Sequence, residues 1–600
     1  MRNRSTRRKA LKTKGNSFVR EMSTLNQNFL LVAAIDFGTA YSGYAFSSKE
    51  DFKTDPLKIS ANTWIGGTLM SLKTSTCVLF DKEKKFYKFG YDAEDAYANL
   101  ALDDKHNDYY YFRRFKMELF NKLKLKRRFM LEDVMGKKML AMDVFSACIK
   151  FLKDDLMTKV CLQLPDADET DIRWVLTVPA IWNDVSKQFM REAAEKAGIA
   201  NESLLMALEP EAASLCCRYS SMTSLKGSQK FMPFQPGTKY LIFDAGGGTV
   251  DITVHEVLQG GGLKELYAAN GGDWGGTYVD RAFRVLLADI VGNDIITELE
   301  TTHTSDYIDI FREFETMKRK FSVSMADKIT FKVPIALNDL FKAKHGKDIK
   351  EHLRSLPKFQ DKITWISDKL RMDAEVAKGL FKEACTSAAS HLEALFMRAE
   401  VKDVDTVLMV GGFSESPMLQ KYVQDAVPSS KKFIIPNEAG LAVLKGAVIF
   451  GHSPLVIKER RSRYTYGVRS SIPFQVGKHP ESKKFRSDDG NDYCSDIFDV
   501  HVKIGQELVV GDTNVVEKYT PVKTKQQQMT FRFYASTDRD PTFTTDGNCT
   551  DIGQLTVDLA GSGTDRSVSV KMIFGDTELH VEAVETATGK RSECSLNFLV

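Results

Sequence analysis

Two α/β lobes followed by an all-β sandwich are the fold class predicted for this 600-residue chain, and three observations predict it. Two strand-turn-strand units, at residues 30–46 and 240–256, carry an acid and glycine at the same place. Apolar strands alternate with amphipathic helices through both halves, as in open sheets covered by helices. From about residue 464 onward, short strands with period-two alternation replace them. The expected divisions are a disordered basic tail at 1–28, lobe I at 29–235, lobe II at 236–452 and the sandwich at 453–600.

The central unit is Tyr240-Leu-Ile-Phe-Asp244-Ala-Gly-Gly-Gly-Thr249-Val-Asp251. Its glycines, Gly246, Gly247 and Gly248, lack a Cβ and tolerate positive φ, so the turn can aim backbone N–H groups at a phosphate. Asp244 and Asp251 flank it at strand ends, where carboxylates can hold a hydrated divalent metal and polarise a water. Leu30-Leu-Val-Ala-Ala-Ile-Asp36-Phe-Gly38-Thr39-Ala40-Tyr41 repeats the plan. Asp-Gly and Gly-Gly also favour ordinary hairpins, which is the plain alternative for each turn taken singly. Two copies point instead to similar halves closing on one nucleotide, the plan of the actin-like ATPase (ribonuclease H-like) fold.

Composition narrows the field. Basic and acidic side chains number 83 and 80 for a net +3, so no global field draws the chain to nucleic acid or membrane. No apolar run reaches the ~18 residues of a membrane-spanning helix. Nine scattered cysteines without a C-x-x-C spacing read as reduced thiols of a cytoplasmic protein. The eight cations and no acid of residues 1–20 predict a solvated tail, with a nuclear or membrane-surface address as the alternative.

In chain order, residues 76–80 and 85–89 read as a strand pair and 142–164 as a long amphipathic helix. The aromatic and basic stretch Tyr109-Tyr-Tyr-Phe-Arg113-Arg114-Phe-Lys116 reads as packing under a lobe, since no basic domain surrounds it. Ile172 to Val178 is a buried strand stopped by Pro179, and Asn183 caps the next helix. Leu204 to Leu208 ends in Glu209-Pro210, leaving Glu209 either a helix-start acid or a group at the functional end of the sheet. Gly275 and Gly276 open a further helix. Glu315, Lys318 and Arg319 share one helical face, by itself an ordinary solvated pattern. Val410-Gly411-Gly412-Phe413 brings backbone close to a ligand, and Asn437-Glu438 begins a last helix reaching about Phe450.

Seven of these motifs, among them Ala34-Ile-Asp-Phe-Gly-Thr39, Leu176-Thr-Val-Pro179, Glu209-Pro-Glu-Ala-Ala213, Phe243 to Asp251 and Pro436-Asn-Glu-Ala439, stand in the order seen in the nucleotide-binding domain of the heat shock 70 kDa protein family. The chain resembles that family, and its divergent type-12 branch in particular. The resemblance implies ATP/ADP and Mg2+ as cofactors. It implies Asp36 and Asp244 as metal holders, Thr39 and Thr249 as hydroxyls near the transferred phosphate, and Glu209 and Asp251 as groups that orient or deprotonate the attacking water. Lys116, with Arg114 as alternate, would be the lysine near the γ-phosphate. Gly38, Ala40, Tyr41, Gly246, Gly247, Gly248, Gly275 and Gly276 would line the phosphates. Glu315, Lys318, Arg319, Gly411, Gly412, Phe413 and Asn437 would line the nucleoside.

Departures from the family pattern are Ala40 for a threonine, Glu211 for a threonine, and Glu415 where an arginine normally stacks on adenine. Where the family has a run of leucines flanked by acids as its linker, Leu455-Val-Ile457 is followed here by Lys458-Glu-Arg-Arg461. The expected sandwich resembles the chaperone peptide-binding domain, without a helical lid. The implied function is a slow Mg2+-dependent ATPase coupling nucleotide state to client or signalling proteins, an atypical chaperone of the stress response. Alternatives are a nucleotide-gated adaptor with negligible hydrolysis and a sugar kinase on the same fold.

Overall fold

The computed structural model describes residues 29–66, 69–120, 122, 125–220, 222–224, 234–487, 490–510, 515–521, 523–574 and 579–595. The basic tail expected at 1–28 lies outside them.

Each lobe is built on a sheet of the same plan. In the first, β1 (Leu31–Phe37) pairs antiparallel with β2 (Tyr41–Ser48), which pairs with β3 (Ser60–Ala61). On its other side β1 runs parallel to β4 (Ile172–Val178), and β4 to β5 (Leu204–Leu208). In the second sheet β6 (Lys239–Ala245), β7 (Val250–Val257) and β8 (Leu263–Gly272) form the antiparallel arm. There β9 (Thr406–Val410) and β10 (Lys432–Pro436) form the parallel arm. Every residue of β1, β4 and β9 is buried, because helices cover both faces of the parallel arms.

The helices that matter to the cleft start where the sequence signals them. The helix α1 (Ala141–Gln163) puts Phe145, Ile149, Leu152 and Leu156 into the first lobe's core. Asn183 accepts a hydrogen bond from the Ser186 N–H and so caps α2 (Asp184–Lys196). Between the two sheets lie α3 (Glu209–Tyr219) and, much later in the chain, α6 (Ala442–His452); α4 (Thr277–Val291) and α5 (Thr304–Lys318) belong to the second lobe. One core runs through both lobes, joining Val32, Ala34 and Val175 to Ala212, Ala213, Ala447 and Val448, and these to Tyr240, Ile242 and Leu408. Its small residues let α3 and α6 approach until a Cβ on Gly446 would stand 1.7 Å from the Ala212 carbonyl oxygen.

The expected last helix begins later than Asn437. Glu438 adopts φ 58, a left-handed turn that no helix continues through, and a short 3₁₀ turn at Ala439–Leu441 precedes α6. Segments after residue 452 divide between two places. Ile457–Arg461 pairs parallel with β8, and Glu507–Val509 pairs with Ile457–Arg461, so both extend the second lobe's sheet. The remainder forms two antiparallel sheets, one around Thr465–Pro473, Asp492–Val502, Gln528–Ser536 and Cys549–Asp558, the other around Val568–Phe574 and Leu579–Glu585. Phe531, Phe533, Val557, Val570, Met572, Val581 and Ala583 fill one core, the alternation read from the sequence. Among the described residues, no helix is long and apolar enough to cross a membrane.

Gly446→Val is expected to lower stability by about 3 kcal/mol, since backbone must move to admit the side chain. Urea unfolding measures it, with Gly379→Ala as a control, because a Cβ there meets nothing within 4 Å. An unchanged midpoint for Gly446→Val would show that α3 and α6 separate freely.

Candidate functional site

The two repeated turns meet face to face. A Cβ on Gly247 would stand 2.6 Å from the Ala40 Cβ, and one on Gly248 would stand 2.4 Å from the Thr39 hydroxyl. Only glycine allows this approach, and Ala40, small where the family has threonine, is the residue it meets. The N–H groups of Gly275, Gly276 and Thr277 donate to the carbonyls of Gly248, Gly246 and Gly247 at 3.2, 3.1 and 2.8 Å. The start of α4 thereby fixes the triple-glycine turn through its carbonyls, not through the N–H groups of Gly247 or Gly248.

Between the lobes opens a cleft of about 1060 Å³. Asp36, Gly38, Thr39, Ala40, Tyr41, Lys116, Glu209, Asp244, Gly246, Gly247, Gly248, Thr249 and Gly276, the residues expected near phosphate, line it, and so do Glu315, Lys318, Arg319, Gly411, Gly412 and Phe413, those expected near the nucleoside. Three expected residues do not. Asp251 lies behind the wall, where it accepts the Ile181 N–H at 2.9 Å. Gly275 packs on the Gly247–Gly248 backbone, and Asn437 is exposed at the end of β10 because the left-handed turn at Glu438 carries it away.

The cleft floor concentrates negative charge. Burial, with Glu209, Asp251 and Asp36 nearby, raises Asp244 well above the usual carboxylate range. Burial also raises Asp251, and it pushes Glu209 to about 7 although Lys116 Nζ stands 2.7 Å from its carboxylate. Asp36 behaves in the opposite way: burial alone would raise it, but Lys73 Nζ at 2.6 Å, Lys116, and the Thr177 hydroxyl at 2.9 Å bring it below the usual value. Of the alternates Lys116 and Arg114, it is Lys116 that reaches Glu209; Arg114 turns to Asp280 at 2.5 Å.

The side of the cleft formed by Glu315, Lys318 and Arg319 is knit together by ion pairs. Lys318 Nζ stands 2.6 Å from both Asp280 and Glu315, and Arg319 stands 2.8 Å from Glu315 with its guanidinium over the Tyr41 ring. Gly411, at φ 88, presses on Asp244, since a Cβ there would lie 2.4 Å from its Oδ1. Glu415, in place of the stacking arginine, accepts the Gly440 N–H at 3.0 Å.

Glu211, the other acidic departure, is buried and held by both terminal nitrogens of Arg460, one at 2.8 Å. Its neighbour Arg463 donates to the carbonyls of Ala180 and Trp182 at 2.8 and 2.7 Å, on either side of the Ile181 N–H that holds Asp251. Sequence reasoning missed Lys73, Asp280 and these arginine contacts. Asp280 alone had a local signal, an acid on the apolar face formed by Val279 and Phe283.

The family model described as Hsp70 protein matches residues 120–456. The chain belongs to the heat shock 70 kDa protein family. Heat shock 70 kDa protein 12A of Mus musculus is 36% identical over 630 residues, covering 96% of this chain and 92% of that one. Heat shock 70 kDa protein 12B of Homo sapiens is 36% identical over 637 residues, covering 95% and 91%. The mitochondrial heat shock 70 kDa protein of Solanum tuberosum is 27% identical over 286 residues, only 46% of this chain and 35% of its own. Within the heat shock 70 family, then, the near end-to-end likeness is to the type-12 branch. Heat shock 70 proteins bind ATP or ADP, in keeping with a cleft of this size and lining.

Arg460→Met leaves the Glu211 charge buried without its partner and is expected to cost about 3 to 5 kcal/mol, most of it recovered by adding Glu211→Leu. Urea unfolding of the two single variants and the double variant measures the coupling. Additive losses would show that the pair does not act as a unit.

Proposed function

We propose that this chain binds ATP or ADP with Mg2+ in the interlobe cleft, hydrolyses ATP slowly, and couples the nucleotide state to protein binding by its C-terminal β region. The observation that carries this is the shared cleft of Asp36 and Asp244, which come from equivalent strand ends of two similar sheets whose glycine turns touch.

The donor set suits a hydrated ion. No three His, Cys, Asp or Glu among the described residues are clustered tightly enough to cage a metal, while Asp36 and Asp244 both face the cleft. Mg2+ commonly keeps most of its water and takes one or two carboxylates, and when bound it would offset charge on the phosphate oxygens. Gly38 and Gly246 to Gly248 would present backbone to those oxygens, with the Thr39 and Thr249 hydroxyls beside them. Glu209 would accept a proton from the attacking water, Asp251 would raise the basicity of Glu209 through its charge from behind the wall, and Lys116 would neutralise charge gathering at the phosphate.

Glu209, pushed up to about 7 by burial, has the basicity that suits a general base near neutral pH once it is deprotonated. A second reading, a nucleotide-gated adaptor with negligible hydrolysis, draws on the same residue, since Lys116 at 2.7 Å competes for the carboxylate. For the C-terminal region, support comes from its two sheets around one core and from the basic linker, which docks against the wall behind Asp251.

Single-turnover phosphate release with Mg2+ and ATP decides between them. Expected is slow release that rises as pH goes from about 6 to about 8 in the wild type, because deprotonation of Glu209 creates the base. Glu209→Gln and Asp244→Asn should reduce release by roughly 100-fold, the scale of a lost acid-base or charge-positioning group. Release unaffected by both substitutions would place the chemistry elsewhere, and nucleotide binding without any release would favour the adaptor.

A further inference from the structure

Lys73 has no place among the residues that the sequence motifs single out, yet its ammonium pairs directly with Asp36. Nζ stands 2.6 Å from Asp36 Oδ2, the side chain is only 16% exposed, and Lys73 also lines the cleft. The position is built by backbone register. Thr74–Ser75 pairs with β2, matching Ser42 to Thr74 and Tyr41 to Ser75, which sets residue 73 beside Gly43. Gly43 in turn is the register partner of Asp36. The lysine stem lies over Gly43, where a Cβ would meet the Lys73 Cγ at 3.1 Å and the Leu72 carbonyl at 2.8 Å. A glycine opposite the acid and a lysine laid across that glycine bring the ammonium to the carboxylate.

The charge balance gives this placement a use. Three carboxylates, Asp36, Glu209 and Asp244, act on one another at the floor with Asp251 behind the wall adding its charge, and two lysines face the floor. Lys116 serves Glu209, and Lys73 serves Asp36 and acts at longer range on Asp244. A polyphosphate entering such a floor needs cationic charge there before it can settle. An ammonium on a four-carbon stem can swing from a carboxylate to a phosphate oxygen without leaving the cleft.

We propose that Lys73 is a phosphate-binding residue of the cleft, a tethered cation that supplies part of the charge otherwise brought by a divalent ion and so lets ATP bind when no divalent metal is present. This rests on the nucleotide reading of the cleft given above.

Isothermal titration calorimetry of the full chain with ATP, once in Mg2+ and once in EDTA, tests it. Wild type is expected to bind ATP in EDTA within about 10-fold of its affinity in Mg2+. Lys73→Gln should weaken binding in EDTA by roughly 10- to 100-fold, the scale of one charge-assisted hydrogen bond, and binding in Mg2+ by much less. Lys73→Arg should restore binding in EDTA. Gly43→Ala, which displaces the stem but keeps the charge, should show the same selective loss, and with Lys73→Arg it decides the matter if Lys73→Gln does not fold. Equal losses in both buffers, or none, would overturn the proposal, as would wild-type binding that is intact in Mg2+ and absent in EDTA. Absence of ATP binding in either buffer would instead bring down the nucleotide reading, and this proposal with it.

Discussion

Charge held out of water governs this molecule. Each carboxylate on the cleft floor is desolvated by the two lobes that meet over it, and desolvated carboxylates repel one another far more strongly than exposed ones. Two responses are visible. Asp36 and Glu209 each receive an ammonium, at 2.6 and 2.7 Å, whereas Asp244 has no cation at that distance among the described residues and is shifted towards its neutral form. On the phosphate reading proposed above, an anion settles on such a floor only with positive charge beside it, from Lys73 and Lys116 and from any cation that arrives with the ligand.

The same constraint reaches the wall behind the cleft. Glu211, two residues beyond Glu209 on the first turn of α3, is as buried as any acid on the floor, and its cation comes from Arg460 in the segment joining the lobes to the C-terminal sheets. That segment adds a strand to the second lobe's sheet and sends Arg463 to the carbonyls flanking Ile181. Its attachment therefore has a polar, directional part beside the apolar one that Ile457 supplies in the core shared by the two lobes. On the reading proposed above, a movement of α3 or of the Ile181 loop would be felt at these polar contacts, since they lose their geometry once one partner shifts.

What was legible in the sequence was local. Continuous apolar runs bounded by turn residues marked Ile172–Val178 and Leu204–Leu208 at their observed bounds, Asn183 announced its helix, and the paired acid-and-glycine turns announced the cleft. What was not legible depends on residues far apart in the chain. Arg460 and Glu211 are 249 positions apart and Arg114 and Asp280 are 166 apart, and no periodicity or motif links either pair. The last helix was placed too early for a different reason. A single non-glycine residue in the left-handed region, Glu438, interrupts a pattern that is otherwise helical, and glutamate does not advertise that conformation.

The departures from the family pattern form a consistent set once their contacts are known. Polar groups buried in a stable fold are hydrogen-bonded, so each altered side chain is expected to have its own local partner. Here Ala40 seats against Gly247, Glu211 is gripped by Arg460, and Glu415 accepts the N–H of Gly440 at the cleft rim. Two of the three lost a hydroxyl or a cation and gained an acid, and both acids are satisfied by groups absent from the motifs themselves. The cleft has thus exchanged one set of polar contacts for another while keeping Asp36, Thr39, Glu209, Asp244, Thr249 and Asp251. On the nucleotide reading proposed above, changes of that kind bear on how tightly and how selectively a ligand is held, and they leave in place the residues assigned to the phosphate end.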